Sequence, residues 1–213
     1  MKKIFAIILA LCAMTALLGA CGKKGGDDPV TVNPVTITIT MEDGGVIKAE
    51  LYPDKAPNTV NNFISLANSG YFDGKVFHRA APGFMIQGGS PTGDGSSTGF
   101  PYSIKGEFAN NGFTKNADLK HVRGVLSMAR IGGRNDSASC QFFIMNADSP
   151  GLDGDYATFG KVTSGMDVVD KVAAGPSSGY PNYILNTPVA MKSVTVDTQG
   201  VDYPEPETLP AIQ

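Results

Sequence analysis

The chain has 213 residues, room for one ordinary domain but not for two comfortable ones. Hydrophobic residues make up 42%, enough for a packed core, while 26 glycines and 14 prolines demand many turns and favour a strand-rich fold over a helical bundle. The formal charge is -3, and no basic block exists beyond Lys2-Lys3 and Lys23-Lys24, so no nucleic-acid partner is expected.

Met1-Lys2-Lys3 is a short positive region and Ile4 to Ala20 an apolar stretch, the pattern of a signal peptide over residues 1–20. An uncleaved transmembrane helix competes with that reading, because the stretch nearly reaches the roughly 20 residues that span a bilayer. Leu18-Gly19-Ala20-Cys21 favours the signal peptide. It resembles a bacterial lipobox, whose Cys is lipidated and becomes the mature N-terminus. Two or more acyl chains anchor stably where one is marginal. The expected location is therefore the extracytoplasmic side of the cell envelope, held through Cys21. Gly22, not Asp, follows that Cys, which points to the outer membrane if the organism is Gram-negative. Cys12 leaves with the signal and Cys21 is lipidated, so Cys140 stands alone and no intramolecular disulfide is expected.

Residues 21–34 are rich in Gly, Lys, Asp and Pro and read as a flexible tether. A domain is expected over residues 35–197. Val35 to Thr40 alternates apolar and polar, a half-buried strand. Asp43-Gly44 is a hairpin signal, and Val46 to Tyr52 a second strand. Pro57 suits a first helical position. Val60, Phe63, Ile64 and Ala67 then recur at helical spacing, with Gly70 as the stop. Short strands are expected at Val76 to Arg79, Met85 to Gly88, Val125 to Ala129, Gln141 to Met145 and Thr158 to Val162. A second helix is expected over Gly165 to Ala173 with Ser164 as its cap, then a closing strand from Pro188 to Val196. Residues 198–213 hold few core candidates and read as a loose tail. Many short strands with two helices suggest a mainly β, closed antiparallel barrel with helices plugging its ends.

Three segments carry a family resemblance. They are Phe77-His78-Arg79-Ala80-Ala81-Pro82-Gly83-Phe84-Met85-Ile86-Gln87-Gly88-Gly89, then Gly124-Val125-Leu126-Ser127-Met128-Ala129-Arg130, then Ser139-Cys140-Gln141-Phe142-Phe143-Ile144 continuing to Leu152-Asp153-Gly154 and Phe159-Gly160-Lys161-Val162. In order and spacing they resemble the cyclophilins, peptidyl-prolyl cis-trans isomerases. The resemblance spans roughly Val35 to Asp197, and is weakest between Pro91 and Lys120 and between Ala174 and Asn186. It implies an eight-stranded barrel capped by two helices, with a shallow groove on the outer face as the active site. Arg79 falls at the catalytic arginine's position. Phe84, Met85, Phe143 and Leu152 match the proline pocket, and Gln87 and Gln141 match polar groove residues. Ala129 and Arg130 match the stretch whose backbone pairs with substrate. The sequence departs from the family at Gly151, where many members carry Trp or another aromatic, at Arg130, which replaces a common Asn, and at Tyr156, which stands where many carry His and keeps an aromatic ring with a hydroxyl at that groove position. Cyclosporin, which binds this groove in the family, is therefore expected to bind weakly.

The reaction suits these residue types. Peptide rotation faces a barrier of about 18–20 kcal/mol from amide resonance, and no bond is made or broken. No nucleophile, metal or cofactor is called for. The expected substrates are proline-containing unfolded or exported polypeptides, and the protein is expected to act as a monomer. A non-catalytic proline-peptide binding module or a surface adhesin is the alternative function. Arg79 favours catalysis, because binding alone needs no donor aimed at the proline nitrogen. His78 adjoins Arg79 but should face the other way on an alternating strand. His121 follows Lys120 and reads as a surface residue.

Overall fold

The computed structural model describes residues 35–96 and 99–211. The expected signal, Cys21 and tether lie outside the described residues. In chain order the elements are β1 (Val35–Met41), β2 (Val46–Leu51), α1 (Pro57–Asn68), β3 (Val76–Ala81), β4 (Met85–Gly88), β5 (Tyr102–Ser103), β6 (Val125–Met128), β7 (Phe142–Met145), β8 (Thr158–Ser164), α2 (Met166–Ala173), β9 (Ile184–Asp197) and β10 (Leu209–Pro210). Eight strands close into an antiparallel barrel in the order β1-β2-β8-β6-β7-β4-β3-β9. The mainly β barrel with two helices matches the expected class.

Side-chain alternation decides what the barrel encloses. Along β1, Val35, Ile37, Ile39 and Met41 are buried while the threonines between them are partly exposed. Opposite them, Ile37 pairs with Ala49 and Ile39 with Ile47. Helix α1 turns Val60, Phe63, Ile64 and Ala67 onto the barrel end. Phe63 stacks on Phe72 at 4.8 Å and meets the edge of Phe142 at 5.3 Å. These contacts make α1 a plug of aromatic packing.

The first turn of α1 has no cap from its own N-cap residue, Ala56. Glu107 supplies it from a distant loop. Its carboxylate accepts the Asn58 and Thr59 N–H groups at 3.1 and 2.7 Å, and the Thr59 hydroxyl at 2.6 Å. A negative group is stabilising at a helix N-terminus, where free N–H groups and the helix dipole meet.

Three expectations need correction. Ser164 does not cap α2, because it ends β8 and Gly165 takes the cap position with φ 89. A Cβ at Gly165 would collide with the Val46 carbonyl oxygen, so both conformation and space require glycine there. The closing strand starts at Ile184, not Pro188. Arg79 pairs with Ile184 and Phe77 with Val189, so the strand bulges where the proline withholds a donor. The C-terminal stretch is not loose over its described length. Asn58 and Glu207 exchange side-chain and backbone hydrogen bonds at 2.9 and 2.7 Å, Ser65 donates to Glu205, and β10 pairs with β5. Those attachments are polar and invisible to a search for apolar periodicity.

Candidate active site

The strands that fill the barrel inwardly build a second, smaller apolar cluster on its outer face. On β4, Ile86 points in and Met85 points out. On β7, Phe142 and Ile144 point in while Phe143 and Met145 point out. Register aligns the outward residues, since Met85 pairs with Met145, Gln87 with Phe143, and Arg79 with Gln87. Phe84 joins them from the turn between β3 and β4. That turn is fixed by Gly83 N–H donating to Asn146 Oδ1 at 2.8 Å and Asn146 N–H donating to the Phe84 carbonyl at 2.8 Å.

These side chains surround a hollow of about 110 Å³, completed by Ala129 and Arg130 beyond β6, Leu152 and Tyr156. Nine of the ten groove residues expected from the sequence line this one hollow. The tenth, Gln141, lines an adjoining hollow of about 80 Å³ that shares Gln87, Ala129 and Arg130 with it. Gly151 sits in the Pro150–Leu152 turn, and a Cβ there would have nothing within 4 Å, so that wall is open.

Arg79 is held from both sides. Its Nη1 donates to Gln87 Oε1 at 3.1 Å and its Nε donates to the Asn182 carbonyl at 3.0 Å. Gln87 in turn donates to Gln141 Oε1 at 2.9 Å, and Gln141 donates to the Gly95 carbonyl at 2.9 Å. The chain of amides fixes the guanidinium plane, and Nη2 has no hydrogen-bond partner among the described residues. Burial pulls the Arg79 pKa down, while Tyr156 and Tyr183 pull the other way. An arginine so placed stays charged at neutral pH. The side chain of Arg130 is also engaged. Its Nε donates to the Asp155 carbonyl at 2.8 Å, and its guanidinium lies 4.7 Å from the Tyr156 ring centre, holding that ring at the rim.

His78 is buried and does not line the hollow, but not through the expected alternation, because β3 breaks register between Phe77 and Arg79. Neither ring nitrogen has a partner among the described residues, and burial lowers its pKa, so it is neutral at pH 7. His121 is not a surface residue. It is 2% exposed, with Nδ1 3.0 Å from Asp153 Oδ1 and Nε2 3.1 Å from Ser127 Oγ. Its ring lies parallel to Phe143 at 6.0 Å and supports that side chain from behind. Burial lowers the His121 pKa against the opposing pull of Asp153. Burial also pushes Asp153 up, but the bonds from the His121 N–H and ring outweigh it and leave its carboxyl below the usual range. The serine, histidine and aspartate resemble a hydrolytic triad in order of contact only. Ser127 is fully buried, so no substrate reaches its hydroxyl.

Comparison with known proteins gives the family. The family model described as cyclophilin type peptidyl-prolyl cis-trans isomerase/CLD matches residues 36–196. The chain is 47% identical over 136 residues to peptidyl-prolyl cis-trans isomerase B of Bacillus subtilis, covering 63% of this chain and 88% of that protein. It is 35% identical over 202 residues to peptidyl-prolyl cis-trans isomerase A of Dickeya dadantii, covering 92% and 97%. A cyclophilin type isomerase of Cryptosporidium parvum matches in structure with a TM-score of 0.66 at 29% identity, covering 78% of this chain and 98% of that one. The same protein in the presence of the dipeptide Ala-Pro matches with a TM-score of 0.65 at 29% identity, covering 76% and 98%. The chain belongs to the cyclophilin-type peptidyl-prolyl cis-trans isomerases.

Proposed function

We propose that the outer hollow holds the proline ring of an unfolded exported polypeptide while Arg79 catalyses rotation about the preceding bond. The observation that carries this reading is a guanidinium pinned by Gln87 and Asn182 at the edge of an apolar hollow. Uncatalysed X-Pro isomerisation takes about tens to hundreds of seconds. At the twisted transition state the amide loses resonance, and the proline nitrogen becomes pyramidal and gains a lone pair. A charged donor already in position binds that state better than the planar one, and this difference is what lowers the barrier. Phe84, Met85, Phe143 and Leu152 grip the ring. Gln87, Gln141 and the backbone at Ala129 and Arg130 hold the flanking peptide, and Tyr156 closes the rim. Rotation is then confined to one bond. A proline dipeptide such as Ala-Pro is the minimal ligand.

The same proposal places the enzyme at the extracytoplasmic face of the envelope, as a monomer anchored through lipidated Cys21. Mass spectrometry of the membrane fraction tests the anchor, with a lipid-modified N-terminus at Cys21 expected and an unmodified one elsewhere contradicting it. Catalysis is tested by following isomerisation of a proline tetrapeptide beside a binding titration of the same peptide. Turnover that Arg79→Ala removes while binding survives supports the isomerase reading. Binding without turnover in the unmodified protein supports the binding module instead.

A further inference from the structure

The side of Arg79 away from Gln87 is built by a segment where the family resemblance is weak. The Asn182 carbonyl accepts from Arg79 Nε at 3.0 Å, and the Tyr183 carbonyl accepts from Ala80 N–H at 2.9 Å. Tyr183 does this at φ 54, a region that side chains with a Cβ adopt only where their surroundings enforce it. Its side chain packs against the outer cluster that contains Met85 and Phe143. Tyr180 meets it edge-on at 6.3 Å and is itself 85% exposed. Neither tyrosine hydroxyl has a hydrogen-bond partner among the described residues, so packing alone positions the rings. From Gly175 to Thr187 the sequence carries no charged residue. Gly151, the neighbour of Leu152 that lines the hollow, offers no ring and has open space around it.

We infer that Tyr183, backed by Tyr180, is a second aromatic wall of the groove and selects substrates with an aromatic or bulky apolar residue beside the proline. The inference rests on the isomerase site proposed at Arg79 and adds its selectivity. A half-buried ring beside a binding hollow, with an exposed ring against it, offers faces and edges to an apolar neighbour. The uncharged segment around it gives a basic neighbour no counter-ion, and the charge beside it is that of Arg79. The chain has no aromatic at position 151 and sets this aromatic surface beside Arg79.

The test is kcat/KM for two series of proline tetrapeptides, one exchanging Ala for Phe before the proline and the other exchanging it after. The unmodified protein should favour Phe by about three- to tenfold at one of these positions, chiefly through KM. Tyr183→Gly removes the ring while accepting the left-handed backbone, its folding is checked by urea unfolding, and the Phe preference should disappear. Tyr183→Phe should keep it. A preference that survives Tyr183→Gly, or none at either position in the unmodified protein, overturns the inference. The two readings fail differently. If the unmodified protein turns over no peptide, the isomerase site and this wall fall together. If Arg79→Ala abolishes turnover but Tyr183→Gly leaves the Phe to Ala ratio intact, the wall alone is wrong.

Discussion

Phe142 and Phe143 stand side by side on β7 and serve opposite faces of one sheet. Phe142 points into the barrel, where it meets the rings of Phe63 and Phe72 at 5.3 and 5.6 Å. Phe143 points outward to a small cluster whose rim is polar, with Arg79, Gln87 and Gln141 joined by hydrogen bonds. The inner face is filled by shape and apolar contact. The outer face is a few apolar residues held in place by donors and acceptors. Stability and catalysis thus draw on alternate residues of the same strands, and a slip of one residue in register would exchange them.

The largest effect should come from breaking the inner face. Phe142→Ala should lower stability in urea unfolding by about 3–5 kcal/mol, because its neighbours cannot collapse into the space. Phe143→Ala should cost less than half as much, since its space opens to the groove, and should instead raise KM for proline peptides. Equal destabilisation by the two variants would mean that the outer cluster is part of the core.

Acid should separate the two faces next. Burial holds His78 and His121 below the ordinary histidine pKa of 6.5. Below about pH 6.5 the unfolded chain takes up protons that the folded chain refuses, so the unfolded state binds more protons. Stability is therefore intact above that pH and declines as pH falls toward the lowered folded values. The urea midpoint should drop between about pH 7.5 and about pH 5.5. The isomerisation rate per folded molecule should stay flat from about pH 6 to 8, because arginine does not titrate there. A midpoint that rises on acidification, or a rate that falls with a pKa of about 6.5, contradicts this division.

The smallest effect concerns the open wall. A side chain at Gly151 would have free space, so Gly151→Trp should leave stability nearly unchanged. We expect weak inhibition of the unmodified protein by cyclosporin. The added ring should strengthen inhibition by several-fold, corresponding to about 1 kcal/mol of aromatic contact. Tight inhibition of the unmodified protein would sink that expectation.

The sequence shows the barrel wherever alternation is strict, as in β1, and it shows the outward set of Arg79, Met85, Gln87 and Phe143 through the family resemblance. It misleads where position depends on contacts far along the chain. His121 looks like a loop residue beside Lys120, yet Asp153 and Ser127 draw it inside, and no periodicity announces that. Asn182 contributes only a backbone carbonyl to Arg79, which no side-chain pattern can reveal. Glu107 caps α1 across 48 residues, and the C-terminal stretch attaches through polar bonds. Each is a tertiary hydrogen bond, and local sequence carries little trace of its partner.

The central claim is that Arg79 acts on the twisted bond and holds little of the fold. Its direct test is kcat/KM for a proline tetrapeptide with the unmodified protein, Arg79→Ala and Arg79→Lys, each checked for folding by urea unfolding. A charged hydrogen bond made chiefly in the transition state is worth about 1.5–3 kcal/mol, so Arg79→Ala should lose roughly ten- to a hundredfold. Arg79→Lys should recover little, because an ammonium lacks the planar fork that reaches Gln87, Asn182 and the substrate together. Full activity in a folded Arg79→Ala protein would contradict the account.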